Sequence, residues 1–134
     1  MSPERYVQRR QELARAAARL AEAAALPPSA IVRDALIQRF EFTFELAWKT
    51  LKLYLEQQGH ELGGPRPVLK KAFVDGLIPT QEEADIWLRM LEDRNQTSHT
   101  YLEPLAERIG AAIIQEYSPL LSVLSERLQS RPWE

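Results

Sequence analysis

The stretch RFEFTFELAWKTLK, residues 39–52, repeats apolar side chains at helical spacing on two faces. The first stripe of the surrounding helix contains Leu36, Phe40, Phe44, Ala47, Trp48, Leu51 and Leu55, and the second contains Phe42, Leu46 and Leu53. A helix that is apolar on more than one face lies at the centre of a bundle or is covered by a partner. This helix is predicted to begin after the capping residue Ser29 and to end near Gln58, where Gly59 allows a left-handed turn.

Start and stop signals along the rest of the chain predict four further helices. The first begins at Ser2, an expected capping residue, and ends before Pro27. A short third helix is expected over residues 68–75, where Gly76 would stop it. The fourth helix opens on a capping box, TQEE, at residues 80–83.

The last predicted helix opens at Pro104 and contains a second proline, Pro119, inside its apolar pattern. Proline removes one backbone hydrogen bond and clashes with the carbonyl group four residues earlier, so we expect a kink near Pro119. No run of more than a few residues alternates as a strand would. The sequence therefore predicts an all-α, up-and-down bundle of about five helices, forming a single domain over residues 1–134.

Composition narrows the classes of function that this chain can have. Its 17 basic and 19 acidic residues give a net charge of −2, so contact with nucleic acid requires a local basic patch. The absence of cysteine excludes disulfides, thiolate zinc sites and cysteine nucleophiles, and two histidines disfavour a metal site. There is no apolar signal core and no run of membrane-spanning length, so we expect a cytoplasmic protein with no membrane association. No cofactor is expected, because the only Gly pair, Gly63-Gly64, lacks the Lys-Ser/Thr of a phosphate-binding loop.

The polar stretch DRNQTSHTY, residues 93–101, separates two apolar helical patterns and contains neither Gly nor Pro. Buried polar groups must find partners, so this composition is unusual for a core segment, and a surface turn would more often carry Gly or Pro. Arg94 is a permanent bidentate partner for phosphate, and His99 can exchange a proton near neutral pH. Together they suit phosphodiester cleavage without a metal ion.

A family resemblance rests on two separate segments. The order arginine, four residues, histidine, one residue, tyrosine in residues 94–101 resembles the signature of the HEPN superfamily of helical RNases. Residues 39–52 resemble the second helix of one HEPN branch, the nucleotidyltransferase substrate-binding proteins, also described as HepT-like toxins. The segments stand in the expected order, and the resemblance covers nearly the whole chain.

The resemblance implies roles for individual residues. Arg94 and His99 match the catalytic pair, and Asn95 matches the polar position after the arginine. In the family, the active groove forms at a homodimer interface to which both chains contribute an arginine and a histidine. Tyr101 matches the tyrosine that a partner minimal nucleotidyltransferase, the MntA-type antitoxin, modifies with AMP to silence the toxin.

Two acidic residues, Glu45 and Asp93, are candidates for supporting roles. Glu45 either orients Arg94 or His99 across the bundle or pairs only with Lys49 one turn later, the simpler interpretation. Asp93, or Glu92 beside it, could pair with Arg94, in which case the arginine is structural and His99 helps to cap the last helix.

Other residues admit a functional and an ordinary interpretation. A basic rim for RNA, or simply a solvated face, would be formed by Lys49, Lys52, Arg66, Lys70 and Lys71. Trp133 is expected to lie in a frayed C-terminal tail.

Two functions follow from these observations. The first is a HepT-like toxin, a candidate metal-independent endoribonuclease that acts as a homodimer and is silenced when a nucleotidyltransferase modifies Tyr101. The alternative is a non-catalytic accessory subunit that binds substrate for its nucleotidyltransferase partner.

Overall fold

The structure, a computed structural model, describes residues 3–133, which fold into helices and contain no strand. The predicted all-α, up-and-down bundle is therefore confirmed. Its helices are α1 (Pro3–Ala24), α2 (Ala30–Gln57), α3 (Pro65–Asp75), α4 (Gln81–Gln96), α5 (Glu103–Ala112) and α6 (Ser118–Gln129). Between α5 and α6 the chain forms a π-helical turn, so these segments make one long fifth rod.

Helix α2 occupies the centre of the bundle, as its two apolar faces predicted. It packs against α1, α3, α5 and α6, and its buried aromatic residues Phe40 and Phe44 lie against Tyr117 and Trp87, respectively. Ser29 caps it by accepting a hydrogen bond of 3.0 Å from the backbone N–H of Val32. The long second helix and its cap are thus as predicted.

The two ends of the chain meet beside α1. The Tyr6 hydroxyl donates to the Arg131 carbonyl at 3.0 Å, and the Tyr6 and Trp133 rings lie 5.6 Å apart. Trp133 packs against the core, so the prediction of a frayed tail is wrong. The Trp133 ring, although it is near the C-terminus, packs against the core because the Tyr6 ring provides an aromatic surface for it. The expected capping residue Ser2 lies outside the described residues.

Helix α3 begins at Pro65, three residues before the predicted start at Val68. The prolines at 65 and 67 fall in the first turn, where a backbone N–H has no helical partner to lose. The predicted stop is confirmed, because Gly76 has φ +92° in the left-handed region.

Helix α4 contains the start of the polar stretch at residues 93–101 in its last turn, and its N-terminal end is held by the predicted cap. The Thr80 hydroxyl accepts a 3.1 Å hydrogen bond from the Glu83 N–H. The Glu83 carboxylate turns away to α6, where it accepts hydrogen bonds of 2.7 and 3.0 Å from Arg127. This ion pair lowers the pKa of Glu83.

The predicted irregularity near Pro119 is a π-helical turn over Ile113–Tyr117, and the rod continues beyond it without a break. The Ser118 N–H donates to the Ile113 carbonyl, five residues back. Widening the helix ahead of Pro119 accommodates the missing N–H and the steric clash of the ring. Within the described residues, no helix has the length and apolar character required to cross a membrane.

Candidate active site

Arg94 lies in the last turn of α4 and faces α2 across the bundle. Its terminal nitrogen Nη1 is 3.5 Å from Glu41 Oε2. Its Nε is 3.3 Å from Glu45 Oε1, an ion-pair contact without the alignment of a hydrogen bond. The side chain remains 29% exposed, so the guanidinium is fixed on one side and open to solvent on the other.

Glu45 is itself held in place by two neighbours on α2. Trp48 donates its indole N–H to Glu45 Oε2 at 3.0 Å, and Lys49 Nζ lies 3.8 Å from the same oxygen. The predicted pair with Lys49 is therefore present, but the Arg94 contact is shorter. The orienting interpretation and the pairing interpretation of Glu45 both describe real contacts, and the contact across the bundle is the closer one.

Thr97 ends α4 and begins the turn that carries His99. Its hydroxyl donates to the Arg94 carbonyl at 2.8 Å and accepts from Arg94 Nη1 at 3.3 Å. Thr97 is buried and starts a 3₁₀ helix, Thr97–His99, closed by a 3.0 Å hydrogen bond from the Thr100 hydroxyl to the Thr97 carbonyl. The turn therefore couples the backbone that holds Arg94 to the backbone that positions His99.

His99 emerges from this turn as an exposed side chain. Within residues 3–133, its imidazole has neither a hydrogen-bond partner nor an ion-pair partner, so the proposed side-chain cap of the last helix is absent. Its ring lies 6.3 Å from the ring of Tyr101, in an edge-on arrangement, and Tyr101 is 78% exposed. Asn95 is likewise exposed. The segment thus presents an imidazole and a phenol to solvent.

Asp93 is buried and points away from Arg94. It accepts hydrogen bonds from Arg108 at 2.8 and 3.2 Å and from the Tyr117 hydroxyl at 2.5 Å. The Asp93 carboxylate raises the pKa of Arg108, and burial together with this carboxylate raises the pKa of Tyr117. The alternative in which Arg94 pairs with Asp93 or Glu92 is therefore wrong, because the partners of Arg94 are on α2.

Four residues that contact Arg94 or Asp93 were not predicted from the sequence to belong to the site: Glu41, Thr97, Arg108 and Tyr117. Glu41 could have been found, because it precedes Glu45 by one helical turn and therefore shares its face. The Arg108 and Tyr117 contacts depend on how the last rod packs on α4, which no local pattern reports. Within the described residues, no group of three or more His, Cys, Asp or Glu side chains could hold a metal ion.

Comparison with known proteins places this chain in a family. Residues 8–130 match the model of the family described as nucleotidyltransferase substrate binding protein like. The chain belongs to this family. The predicted resemblance to the nucleotidyltransferase substrate-binding proteins is thereby confirmed.

Two individual relatives extend this family assignment. A protein of Haemophilus influenzae named probable ribonuclease HepT is 36% identical over 111 aligned positions, which cover 74% of each chain. A crystal structure of a protein from Thermus thermophilus superposes with a TM-score of 0.76 and 43% sequence identity, and covers 89% of this chain and 97% of that one. A relative of known structure therefore shares the fold described above.

Proposed function

We propose that this family member is a metal-independent endoribonuclease of the HepT type. The observation that carries the proposal is the pairing of a partly exposed Arg94, oriented by Glu41 and Glu45, with an exposed His99 one turn away. A guanidinium is a ready ligand for a phosphodiester, and an unpartnered imidazole is available for proton transfer. The name of the Haemophilus relative supports the same chemistry.

The chemistry that suits these groups is transesterification within the RNA. The 2′-hydroxyl attacks the adjacent phosphorus, the new bond from 2′-oxygen to phosphorus forms, and the bond to the 5′-oxygen breaks. A base accepts the 2′-hydroxyl proton, and an acid donates a proton to the departing 5′-oxygen. His99 performs one of these transfers, and Arg94 stabilises the negative charge that grows on the phosphoryl oxygens.

Glu41 and Glu45 act on this chemistry through Arg94. Their carboxylates lie 3.5 and 3.3 Å from the guanidinium, and Nη1 also donates to the Thr97 hydroxyl, which leaves the N–H groups of Nη2 for a phosphate. A guanidinium held before the substrate arrives loses less conformational entropy when the phosphate binds. The two residues are positioning residues in this mechanism.

A homodimer completes the site in this proposal, because a second copy supplies the second imidazole and guanidinium. An apolar groove between α2 and α5 is a candidate for the contact: its lining includes Leu26 and Ile114, which are 52% and 40% exposed. Arg33, also in the groove, pairs with Glu103 at 2.9 Å. Glu103 begins the helix that follows the His99 turn, so a copy covering this groove would lie beside the proposed site.

Tyr101 is the proposed point of control by a partner nucleotidyltransferase. Its 78% exposure leaves the hydroxyl accessible to an enzyme, and its ring neighbours His99. Transfer of AMP to the phenolic oxygen would place a bulky, anionic phosphodiester beside the imidazole and within reach of the phosphate site. Modification would then block RNA both sterically and by charge repulsion.

The catalytic assignment is tested with purified protein, RNA and excess EDTA. Cleavage is expected in the wild type, and the Arg94→Ala and His99→Ala variants should each lose it by about a hundredfold or more. Arg89→Ala, at an exposed arginine of α4 that pairs with Glu116, and His60→Ala, in the loop ahead of α3, are matched controls and should cleave normally. Retention of cleavage by both site variants would remove Arg94 and His99 from the mechanism.

The family description favours one second function, in which the chain is an accessory subunit that binds substrate for a nucleotidyltransferase. In that case the wild type would bind its partner tightly and cleave no RNA under any of these conditions. Incubation with the partner and ATP, followed by mass spectrometry of the peptide containing Tyr101, tests the regulatory step separately. AMP on another residue would exclude the role proposed for Tyr101.

A further inference from the structure

The outer surface between α1 and α2 contains two neighbouring grooves with a basic lining. The first has a volume of about 720 Å³, and its lining includes Arg15, Arg19, Arg39 and Phe42. The second has a volume of about 330 Å³ and contains four basic side chains, Arg5, Arg9, Lys49 and Lys52. We call this surface the α1–α2 seam.

The seam is basic in a chain that is acidic as a whole. Its two grooves contain seven basic and two acidic side chains, whereas the full sequence has 17 basic and 19 acidic residues. One of the two acids, Glu12, is already paired with Arg9 at 3.2 Å. Such segregation of charge on one face creates a local positive field despite a net charge of −2.

Several of these cations are available to a ligand. Within the described residues, the side chains of Arg15 and Arg19 have no hydrogen-bond or ion-pair partner. Arg39 donates one hydrogen bond of 2.7 Å to the Arg19 carbonyl across the seam, which leaves its other N–H groups unused. From Arg9 to Arg19 the row extends about 15 Å at the helical rise of 1.5 Å per residue, enough for more than one phosphate of an extended strand.

Aromatic side chains interrupt the row of cations and lead towards Arg94. Phe42 is 63% exposed in the first groove, and Trp48 lines the second. Phe42 precedes Glu45 by three residues on α2, and Trp48 donates its N–H to Glu45, so both rings neighbour the carboxylate that lies 3.3 Å from Arg94. An exposed phenylalanine on a basic surface offers a face on which a base can stack.

We propose that the α1–α2 seam binds single-stranded RNA and guides it to the site around Arg94. The cations contact the phosphates, and Phe42 stacks on an unpaired base. This combination of a positive groove with aromatic platforms suits single strands of little sequence preference, because every base has a π face. The inference rests on the proposed RNase function for its ligand, and it adds the binding surface and the strandedness of the substrate.

The test measures binding apart from cleavage. A fluorescein-labelled twelve-nucleotide RNA is titrated by anisotropy against protein that carries His99→Ala, so that no product forms. In that background the double change Arg15→Gln and Arg19→Gln should weaken binding at least tenfold. It should also reduce the slope of log K against log salt by about 1.4, the value for two phosphate contacts on a single strand.

A second pair of variants isolates stacking. Phe42→Ala should weaken binding roughly tenfold, whereas Phe42→Tyr, which keeps a ring at this position, should bind nearly as the parent does. The comparison variant is Arg66→Gln with Lys70→Gln, two exposed residues of the predicted basic rim that lie on α3 and outside the seam, and it should leave the affinity unchanged if the seam is the binding surface. Circular dichroism melting of each variant shows whether the fold is intact.

The outcomes separate this inference from the proposed function. Unchanged affinity in the seam variants, equal loss in the α3 control, or equal binding of duplex RNA would overturn the seam proposal. Seam-dependent binding of RNA that wild-type protein never cleaves would uphold the seam and overturn the RNase assignment. Cleavage that is unaffected by the seam variants would uphold the RNase assignment and place the binding surface elsewhere.

Discussion

Asp93 and Arg94 are adjacent in α4, but their side chains join it to different helices. Asp93 bonds Arg108 on α5 and Tyr117 in the π turn, whereas Arg94 lies against Glu41 and Glu45 on α2. The last turn of α4 is therefore held by contacts on two sides. The buried Asp93 contacts fix the backbone from which the partly exposed Arg94 guanidinium projects.

We expect Asp93→Asn to destabilise the fold by about 2 kcal/mol, because it removes a charged acceptor from two donors, one of them buried. Arg108 is 56% exposed, so solvent screening keeps the loss below that of a fully buried pair. Urea unfolding measures the change, with exposed Glu92→Gln as a neighbouring control. Equal stability of the two variants would mean that the Asp93 contacts with Arg108 and Tyr117 contribute nothing to the stability of the fold.

We expect Glu45→Gln to lower kcat for RNA cleavage by about tenfold, since the guanidinium would lose its closest carboxylate. Glu41→Gln should have a smaller effect, because its contact with Arg94 is longer, 3.5 Å against 3.3 Å. Glu116→Gln is the matched control: this carboxylate also pairs with an arginine, Arg89 at 3.2 Å, but does not contact Arg94. A fall in kcat for Glu116→Gln as large as that for Glu45→Gln would contradict the positioning role.

The Glu83–Arg127 pair predicts an acid dependence of stability. Arg127 lowers the pKa of Glu83 in the folded state, so this contribution is present above the pKa of an unfolded glutamate and disappears as pH falls through the folded value. Near pH 7, the free energy of unfolding of the wild type should exceed that of Glu83→Gln by about 1 to 2 kcal/mol. This difference in free energy, measured by urea unfolding at each pH, should shrink towards zero in strong acid. A constant difference would exclude the ion pair as its source.

The proposed dimer contact predicts a change in molecular mass. A charge in the apolar groove between α2 and α5, introduced as Ile114→Glu, should convert a dimer to a monomer because a buried unpaired carboxylate is costly. Light scattering after size exclusion measures the mass, and cleavage should fall with it. Val74→Glu, at an exposed apolar residue on α3, should leave both unchanged. A dimer that survives Ile114→Glu places the interface on another surface.

Local sequence signals were sufficient for most of the fold. Ser29, Thr80 and Gly76 act at short range, through caps and a left-handed turn, and their outcomes matched the prediction. The predicted start of α3 was wrong because the sequence signature of prolines in the first turn of a helix is also that of a loop. Trp133 was misplaced because its partner, Tyr6, lies at the other end of the chain.

The candidate site was predictable only in part. Residue chemistry and the family resemblance made Arg94 and His99 candidates, and the structure leaves Arg94 partly exposed and His99 exposed. The choice of Glu41 and Glu45 over Asp93 as partners of Arg94 depends on how α4 is rotated against α2. That rotation is set by long-range packing, which a single sequence does not encode in any short pattern.

The π turn at Ile113–Tyr117 makes the bundle sensitive to the spacing of residues in its last rod. A π turn takes up one residue more than an α-helical turn, and an α-helix advances about 100° per residue. If the same sequence were α-helical throughout, every residue beyond the turn would therefore be displaced by about 100° around the helix axis, and the buried Leu121 and Leu124 would meet the wrong neighbours. A chain that lacks one residue at this place can instead be a regular α-helix and keep those contacts.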